Sequence, residues 1–213
     1  MGKVVLDISS SLDGFVAGPS PSLEQPLGEG GEQLHDWVVR LASWRERHGE
    51  SGGATDADDE VMAGGLAGAG AVLMGRRMFS GGDGPWEDDP KADGWWGDEP
   101  PFGVPVFVVT HHARPPLERG STTFTFVTDG VESAVEQARA AAGDRNVSVA
   151  GGASVAQQAL NAGLLDELEI HLVPVLLGGG TRLLDRLDPK IKLERTRVVD
   201  SPAVTHLRYR AVT

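Results

Sequence analysis

The chain has 213 residues, of which 40% are hydrophobic and 23% are charged, as in an ordinary globular protein with a sizeable core. Its 31 acidic and 19 basic residues give a formal charge of −12, which argues against broad contact with nucleic acid. The lack of cysteine excludes disulfides, thiolate zinc sites and cysteine nucleophiles. The sequence shows neither a membrane-helix pattern nor a secretory signal, so we expect one cytoplasmic domain over residues 1–213.

The first third of the chain predicts a strand followed by two helices. Residues 4–8 are mostly apolar and strand-like, and the Asp13–Gly14 pair predicts a turn after them. Residues 32–47 carry apolar side chains on one face at helical spacing, so we expect a single helix there. After a polar connection, Thr55 or Asp56 is expected to cap a second helix with an acidic first turn.

Short strands and helices alternate in the remainder of the chain, with one long loop at residues 80–103 that carries three tryptophans. Strands are predicted at residues 71–74, 105–110, 122–127, 146–150 and around 168–172, helices at 131–142 and 154–162, and a terminal hairpin at 190–199 and 204–213. This order predicts a mainly parallel sheet covered by helices, with an antiparallel edge. Ligands of such sheets bind beyond the carboxyl ends of the strands.

Two adjacent arginines follow one of these predicted strands, in VLMGRRMF at residues 72–79. Guanidinium groups on a turn can hold phosphate through charge-assisted hydrogen bonds. Adjacent arginines are more often plain surface charge, and this alternative stays open for Arg76 and Arg77. Their position at the carboxyl end of a strand favours a role in anion binding.

A second candidate anion site is the strand-to-helix turn in VSVAGGASVAQQAL, residues 147–160. Glycine lets the backbone approach a ligand closely, and the N–H groups at a helix start favour a diphosphate. The alternative is an ordinary tight turn with a serine cap, because the full G-x-G-x-x-G pattern is missing.

The same segment also approximates the G-x-S-x-G turn of serine hydrolases, with Ser154 as the nucleophile. A catalytic triad would then need Asp166 or Asp185 together with His171 or His206, and no flanking pattern supports these partners. The adjacent pair His111–His112 lacks the spacing of metal ligands, so we expect no metal site.

Taken in order, SLDGFVAG, VLMGRRMF, VFVVTHH, VAGGASVAQQALNAGLLDELEIHLVPVLLGGG and the final hairpin resemble the dihydrofolate reductase-like superfamily. Within it, they are most similar to a bacterial branch related to the carboxyl-terminal reductase domain of the bifunctional riboflavin-biosynthesis deaminase/reductase. The resemblance covers nearly the whole chain. It implies a three-layer α/β fold with a mainly parallel sheet of about eight strands, a bound NADPH, a small-molecule substrate and a homodimer.

The resemblance also assigns roles to residues by their position in the shared segments. It places the substrate near Ser9, Asp13 and Trp37. It implies that the cofactor lies near Val16 and Ala17 at the nicotinamide, Gly75, Arg76 and Arg77 at the phosphates, Thr110 and His111 at the adenosine side, and Gly151, Gly152, Ala153, Ser154 and Val155 at the diphosphate. Related folate reductases carry an acid on the first long helix, and Asp36 is the nearest match. Asp36 is therefore a candidate catalytic acid, with a solvated helix residue as the alternative.

Two positions depart from the family pattern. Met78 stands where a phosphate-contacting threonine is usual, and Ala150 replaces a glutamate that contacts the substrate in the riboflavin enzymes. From the resemblance as a whole, we expect an NADPH-dependent reductase of a small nitrogen heterocycle or imine-like carbon, of the pterin or 5-amino-6-ribosylamino-pyrimidinedione type. A non-catalytic nucleotide-binding protein of the same fold is the alternative.

Overall fold

A computed structural model describes residues 2–188 and 191–212. Its strands are β1 (Val4–Ser11), β2 (Phe15–Ala17), β3 (Ala69–Gly75), β4 (Val106–Val109), β5 (Leu117–Arg119), β6 (Thr122–Val127), β7 (Asn146–Gly151), β8 (Glu167–Val173), β9 (Thr181–Arg182), β10 (Lys192–Asp200) and β11 (Thr205–Val212). Its helices are α1 (Asp36–Val39), α2 (Ala42–Arg47), α3 (Ala57–Gly68), α4 (Arg76–Ser80), α5 (Val131–Ala142) and α6 (Ala153–Asn161), with 3₁₀ turns at Gly31–His35 and Trp86–Asp88.

The main sheet of the described residues has nine strands in the order β10-β11-β8-β1-β7-β3-β4-β6-β5. The six strands from β8 to β6 are parallel to their neighbours, while β5 and the β10–β11 hairpin are antiparallel. The predicted, mainly parallel sheet with a terminal antiparallel hairpin is therefore confirmed. The short edge strand β5 was not predicted, and the predicted hairpin bounds Lys190 and Thr213 lie outside the described residues.

Alternation along the strands divides the core into two faces, because successive side chains of a strand point to opposite sides. One face carries Leu6, Leu73 and Val149 and packs against α5 and α6. The opposite face packs against α1 and the 3₁₀ turn before it on the β8 side, and against α4 and the tryptophan loop on the β4 side. These layers form the predicted three-layer arrangement. Within the described part of the chain, no helix has the length and apolar character needed to cross a membrane.

The predicted single helix over residues 32–47 is wrong, because the chain breaks at Leu41. Leu41 has extended backbone angles and is fully buried. The N–H of Ala42 donates to the carbonyl of Ala54 (2.9 Å), and the N–H of Ala54 donates to the carbonyl of Arg40 (2.9 Å). Pairing with residue 54 thus replaces the helical bonds. Helix α1 buries Trp37 and Val38 on the apolar face that the periodicity indicated, whereas α2 contributes the partly buried Trp44.

The second predicted helix is confirmed as α3, with Asp56 as its cap. The Asp56 carboxylate accepts from the N–H groups of Asp58 (3.1 Å) and Asp59 (3.2 Å). These bonds satisfy two of the backbone donors that every helix start leaves without a partner. The cap places Asp58 at the second position of α3, facing the sheet, where it is fully buried.

Candidate functional site

The two glycine turns singled out in the sequence lie side by side at the carboxyl edge of the sheet. They are neighbours because β7 pairs with β3. A Cβ atom at Gly75 would lie 3.2 Å from Cγ2 of Val155 and 3.6 Å from the amide nitrogen of Gly152. At Gly152 itself, a Cβ atom would have no heavy atom of the described chain within 4 Å. The backbone at Gly152 is therefore open to a ligand, while Gly75 packs closely against Val155.

Helix α6 begins directly at this open edge. Gly152 precedes its first residue, and its carbonyl accepts from the N–H groups of Val155 (3.1 Å) and Ala156 (3.2 Å). The peptide bond between Gly151 and Gly152 is cis. Ser154 is exposed, and its hydroxyl accepts from Nε2 of Gln158 (3.0 Å). The first-turn N–H groups and the positive end of the helix dipole make this edge suitable for an anion.

The backbone conformation of Gly151 explains why this residue is a glycine, and Met78 packs against it. Gly151 has a φ of +135°, and a Cβ atom there would lie 3.2 Å from Sδ of Met78 and 3.8 Å from Cδ1 of Ile8. The thioether thus packs on the turn in the place where the family pattern has a hydroxyl. Ala150, the other departure, packs against the core cluster around Phe79 and Phe124.

Arg76 and Arg77 differ sharply in their surroundings. Arg76 is only 6% exposed, and its guanidinium pairs with Asp89 (2.5 Å), bonds to Ser80 and lies 3.6 Å above the Trp86 ring. Arg77 has a side chain that is 72% exposed and pairs with Asp83, whose side chain is 65% exposed. The guanidinium group of Arg76 is thus bound by the tryptophan loop, whereas the guanidinium group of Arg77 lies at the surface. Phosphate contact by either residue stays a prediction.

The predicted substrate residues Ser9 and Trp37 contact one another inside the protein. Nε1 of Trp37 donates to Oγ of Ser9 (3.1 Å), and both residues are buried. Asp36, the first residue of α1, is exposed. The structure therefore brings Ser9 and Trp37 together. Asp36, which directly precedes Trp37 in the chain, is exposed to solvent.

Asp13 connects the β1–β2 turn to the segment after β8. Its carboxylate accepts from Oγ of Ser11 (2.6 Å) and from the N–H groups of Leu177 (3.2 Å) and Gly178 (2.8 Å). The hydrogen bond from Ser11, followed by those from the backbone, lowers the Asp13 pKa from 3.8 to about 2. These bonds give Asp13 a structural role in addition to its predicted contact with substrate.

The remaining predicted cofactor residues occupy other strand ends. Val16 and Ala17 belong to β2, which pairs with β9. Thr110 is buried after β4, and its hydroxyl accepts from the N–H of His112 (3.2 Å), while His111 is exposed. The carbonyl of His112 accepts from Nε1 of Trp86 (2.7 Å), so the tryptophan loop docks against this turn.

The sequence reasoning missed a buried polar network on the β8 side of the sheet. Nδ1 of His171 lies 2.7 Å from Nδ1 of His206. Nε2 of His171 lies 2.9 Å from Oδ1 of Asp7, and Nε2 of His206 lies 3.0 Å from Oδ1 of Asp58. Arg40 pairs with Asp58 at 2.5 Å. The available signal was Asp7 within the apolar run VVLDI, but its partners are more than 50 residues away in the sequence.

This network also removes the partners that a serine hydrolase would need. His171 and His206 bond to each other and to Asp7 and Asp58, whereas Asp166 accepts from the N–H of Val4 (2.7 Å) and pairs with Arg139 (2.9 Å). The geometry therefore gives Ser154 no support as a nucleophile. Among residues 2–188 and 191–212, no group of three or more acidic or histidine side chains is placed to hold a metal ion.

The sheet order, the helices on both faces and the adjoining glycine turns define an α/β protein with the dihydrofolate reductase-like fold. The family model described as the RibD C-terminal domain matches residues 2–207, and the chain belongs to this family. The resemblance drawn from the sequence segments is thereby confirmed. No sequence among the curated proteins matches the chain.

Solved structures with the same fold share little sequence with this chain. A protein assigned to riboflavin biosynthesis from Shewanella sp. PV-4 is 18% identical with a TM-score of 0.65, over 99% of both chains. RibD of Acinetobacter baumannii is 18% identical with a TM-score of 0.61, and the match covers all of this chain but 59% of RibD. The riboflavin biosynthesis reductase Rib7 of Saccharomyces cerevisiae is 14% identical with a TM-score of 0.53, over 100% and 89% of the two chains.

Proposed function

We propose that the protein is an NADPH-dependent reductase that delivers hydride to a small nitrogen heterocycle or an imine-like carbon. The observation that carries this proposal is the junction of the Gly75 and Gly151–Gly152 turns beside the start of α6. Membership of the RibD C-terminal domain family supports a reductase. The substrate class, of the pterin or 5-amino-6-ribosylamino-pyrimidinedione type, is an extension of that membership.

The residues at the strand ends fit a dinucleotide. Gly152 leaves space for a diphosphate, and the backbone N–H groups of Ala153 and Ser154 would hold it, while Val155, whose own N–H donates to the carbonyl of Gly152, would pack beside it. Arg77 would supply the mobile positive charge, since Arg76 is engaged with Asp89. When bound, NADPH supplies hydride from its dihydronicotinamide ring. We assign Val16 and Ala17 to the nicotinamide side and Thr110 and His111 to the adenosine side.

On the substrate side, the chain would orient a flat ring and offer one acid. The bonded pair of Ser9 and Trp37 forms a fixed wall at the end of β1, and Asp13 holds the adjoining turn. Asp36 is accessible and is our candidate to contact or protonate the substrate. Ala150 cannot reproduce the carboxylate contact of the riboflavin enzymes, so we propose a substrate that does not require it.

The second candidate is a nucleotide-binding protein without turnover, and the inward position of Arg76 favours it. An arginine neutralised by Asp89 contributes little to phosphate binding, so the grip on the cofactor is weaker than the sequence alone indicates. The two candidates differ in one observable. A reductase consumes NADPH when a substrate is added, whereas a binding protein saturates with NADPH and leaves it unchanged.

The test is a thermal-shift titration followed by a turnover assay. NADPH at about 100 times its Kd should stabilise the fold by about 2.7 kcal/mol, and NADH should stabilise it less at the same concentration. Oxidation of NADPH is then followed spectrophotometrically with a panel of pterins, pyrimidines and imines. No shift with millimolar NADPH would refute cofactor binding, and a shift without oxidation would favour the second candidate.

We further propose that residues 1–213 act as one domain, as a cytoplasmic homodimer that takes a small-molecule substrate and contacts neither nucleic acid nor membrane. The formal charge of −12 supports the proposal about nucleic acid. Light scattering of the purified chain tests the dimer, since a mass near 22.5 kDa would identify a monomer.

A further inference from the structure

Two histidine rings meet in the interior, on the sheet face covered by α1 and α3. His171 on β8 and His206 on β11 are directly paired in the sheet and are 3% and 1% exposed. Their Nδ1 atoms face each other at 2.7 Å, and each Nε2 atom faces a carboxylate, of Asp7 or Asp58. The four side chains form an unbroken row of carboxylate, ring, ring and carboxylate.

The hydrogen bonds of this row require one more proton than two neutral histidine rings supply. Its three contacts, at 2.7–3.0 Å, need three protons. Two neutral imidazoles bring two, and ionised carboxylates bring none. Without the third proton, two lone pairs would face each other in a site shielded from water, where an unmade hydrogen bond is costly.

The surrounding charges also call for one additional positive charge. Arg40 pairs with Asp58, and Arg208 pairs with Glu169, which is the sheet partner of Asp7. The three carboxylates and two guanidinium groups sum to −1, so one proton on the rings makes the cluster neutral. Asp56, the other partner of Arg40, has a side chain that is 45% exposed, and counting it makes this sum more negative, which adds to the need for a proton. Burial lowers the pKa of His35, so this ring adds no charge.

We place the extra proton on His171, because this ring faces Asp7, whereas Arg40 already neutralises Asp58, the carboxylate beside His206. Burial lowers the pKa of His206, an effect that its hydrogen bond to Asp58 opposes only in part. Burial alone would raise the pKa of Asp7, but the His171 ring, together with the charges of Arg208 and His206, outweighs it and lowers that pKa overall. His206 is therefore the neutral ring, donating from Nε2 to Asp58 and accepting at Nδ1. His171 donates from both nitrogens, to His206 and to Asp7.

Trp37 lies against this cation. Its ring centroid is 4.7 Å from that of His171 and 5.1 Å from that of His206, and its Nε1 donates to Ser9. A cation beside an indole is attracted by the ring electrons. We propose that His171 and His206 trap one proton between Asp7 and Asp58, and that this cation positions Trp37, and through it the Ser9 hydroxyl. Only the assignment of the substrate to this end of β1 rests on the proposed function.

The first test is the protonation state of the pair in the ligand-free full-length chain. Nitrogen NMR of ¹⁵N-histidine protein at pH 7 should show one imidazolium, His171, and one neutral ring protonated at Nε2, His206. His171→Gln and His206→Gln assign the signals. Two neutral rings, or two imidazolium rings, would overturn the proposal, and the wild-type spectrum suffices even if a variant does not fold.

The second test removes one counter-charge at a time. Asp7→Asn and Asp58→Asn keep a side chain of the same size, and each should move the pH at which the pair loses its proton downward by roughly one to two units. Glu60→Gln on the exposed side of α3 is the matched control and should leave that pH unchanged. Equal behaviour of the three variants would show that the carboxylates do not hold the proton.

The third test separates positioning from a purely structural role. The indole N–H signal of Trp37, assigned with Trp37→Phe, should change with pH at the same midpoint as the histidine pair, and His112→Gln should not alter it. If the Trp37 indole signal does not change with pH at the midpoint of the histidine pair, the positioning role is wrong. Because no cofactor is present in these spectra, failure of NADPH binding would refute the proposed function and leave this result to be judged separately.

Discussion

Two clusters bury charge on the same face of the sheet, and they are assembled in different ways. The arginine cluster consists of Arg76, Ser80, Trp86 and Asp89, all within residues 76–89. The histidine network consists of Asp7, Asp58, His171 and His206, from three strands and one helix. Guanidinium is always charged and must bring its own counter-ion, whereas a histidine pair can adjust its charge by one proton. The first cluster therefore anchors a loop, and the second can respond to pH.

The largest effect is expected when the histidine network loses a carboxylate. Asp58→Ala should lower the free energy of unfolding by about 3–5 kcal/mol, because it leaves Arg40 and His206 without their buried partner. Urea denaturation measures this change. Glu60→Ala, two residues along the same helix and exposed, should stay within about 0.5 kcal/mol. Similar values for both variants would mean that the network contributes nothing to stability.

Removing the carboxylate of the arginine cluster should cost less. Asp89→Ala should lower the free energy of unfolding by about 2–3 kcal/mol, since Arg76 keeps its contacts with Ser80 and Trp86. The exposed neighbour Asp88→Ala serves as the control in the same denaturation experiment. Combining Asp89→Leu with Arg76→Met should recover most of the loss, because an apolar pair leaves no charge unpaired. A double variant worse than Asp89→Ala would contradict this account.

The pH dependence of stability should come from the histidine network. The pKa of His206 is lowered from 6.5 by burial, so the unfolded chain binds more protons as the pH falls below 6.5. The contribution of His206 is fully present above pH 6.5 and is lost as the pH falls towards its folded value. Denaturation at pH 6.5, 6.0, 5.5 and 5.0 should show this decline, which His206→Gln should reduce. The decline should persist in the double variant at Arg76 and Asp89.

The smallest effect on stability is expected for the exposed arginine. Arg77→Ala should change the free energy of unfolding by less than about 0.5 kcal/mol, because its pair with Asp83 is solvated. It should weaken NADPH binding by about 1–3 kcal/mol, the range for a lost charge-assisted hydrogen bond, and calorimetric titration measures this. Arg76→Met combined with Asp89→Leu tests the buried partner. If that double variant loses more NADPH affinity than Arg77→Ala, Arg76 is the residue that contacts the phosphate.

Several features followed from local sequence. The α/β class, the terminal hairpin, the Asp56 cap and the two glycine turns at strand ends were predictable, because each depends on periodicity, turn chemistry or segments that resemble a family. That these two turns adjoin depends on the pairing of β3 with β7. The prediction of one helix over residues 32–47 was wrong because the chain at Leu41 pairs with Ala54 in place of forming helical hydrogen bonds. Periodicity does not encode this contact. Strand β5 was not predicted because its three residues are too few to show the alternation that marks a strand.

The sequence by itself determined which residues are apolar, which turns need glycine and which segments carry the chemistry of an anion site, since these properties are local. Only the tertiary structure decided what Arg76 and His171 bind. Arg76 turns inward because Asp89 and Trp86 return to it through the loop. His171 meets His206 because β8 and β11 pair in register, and Asp7 meets His171 because β1 lies beside β8. Side chains brought together by strand order leave no trace in their spacing along the chain.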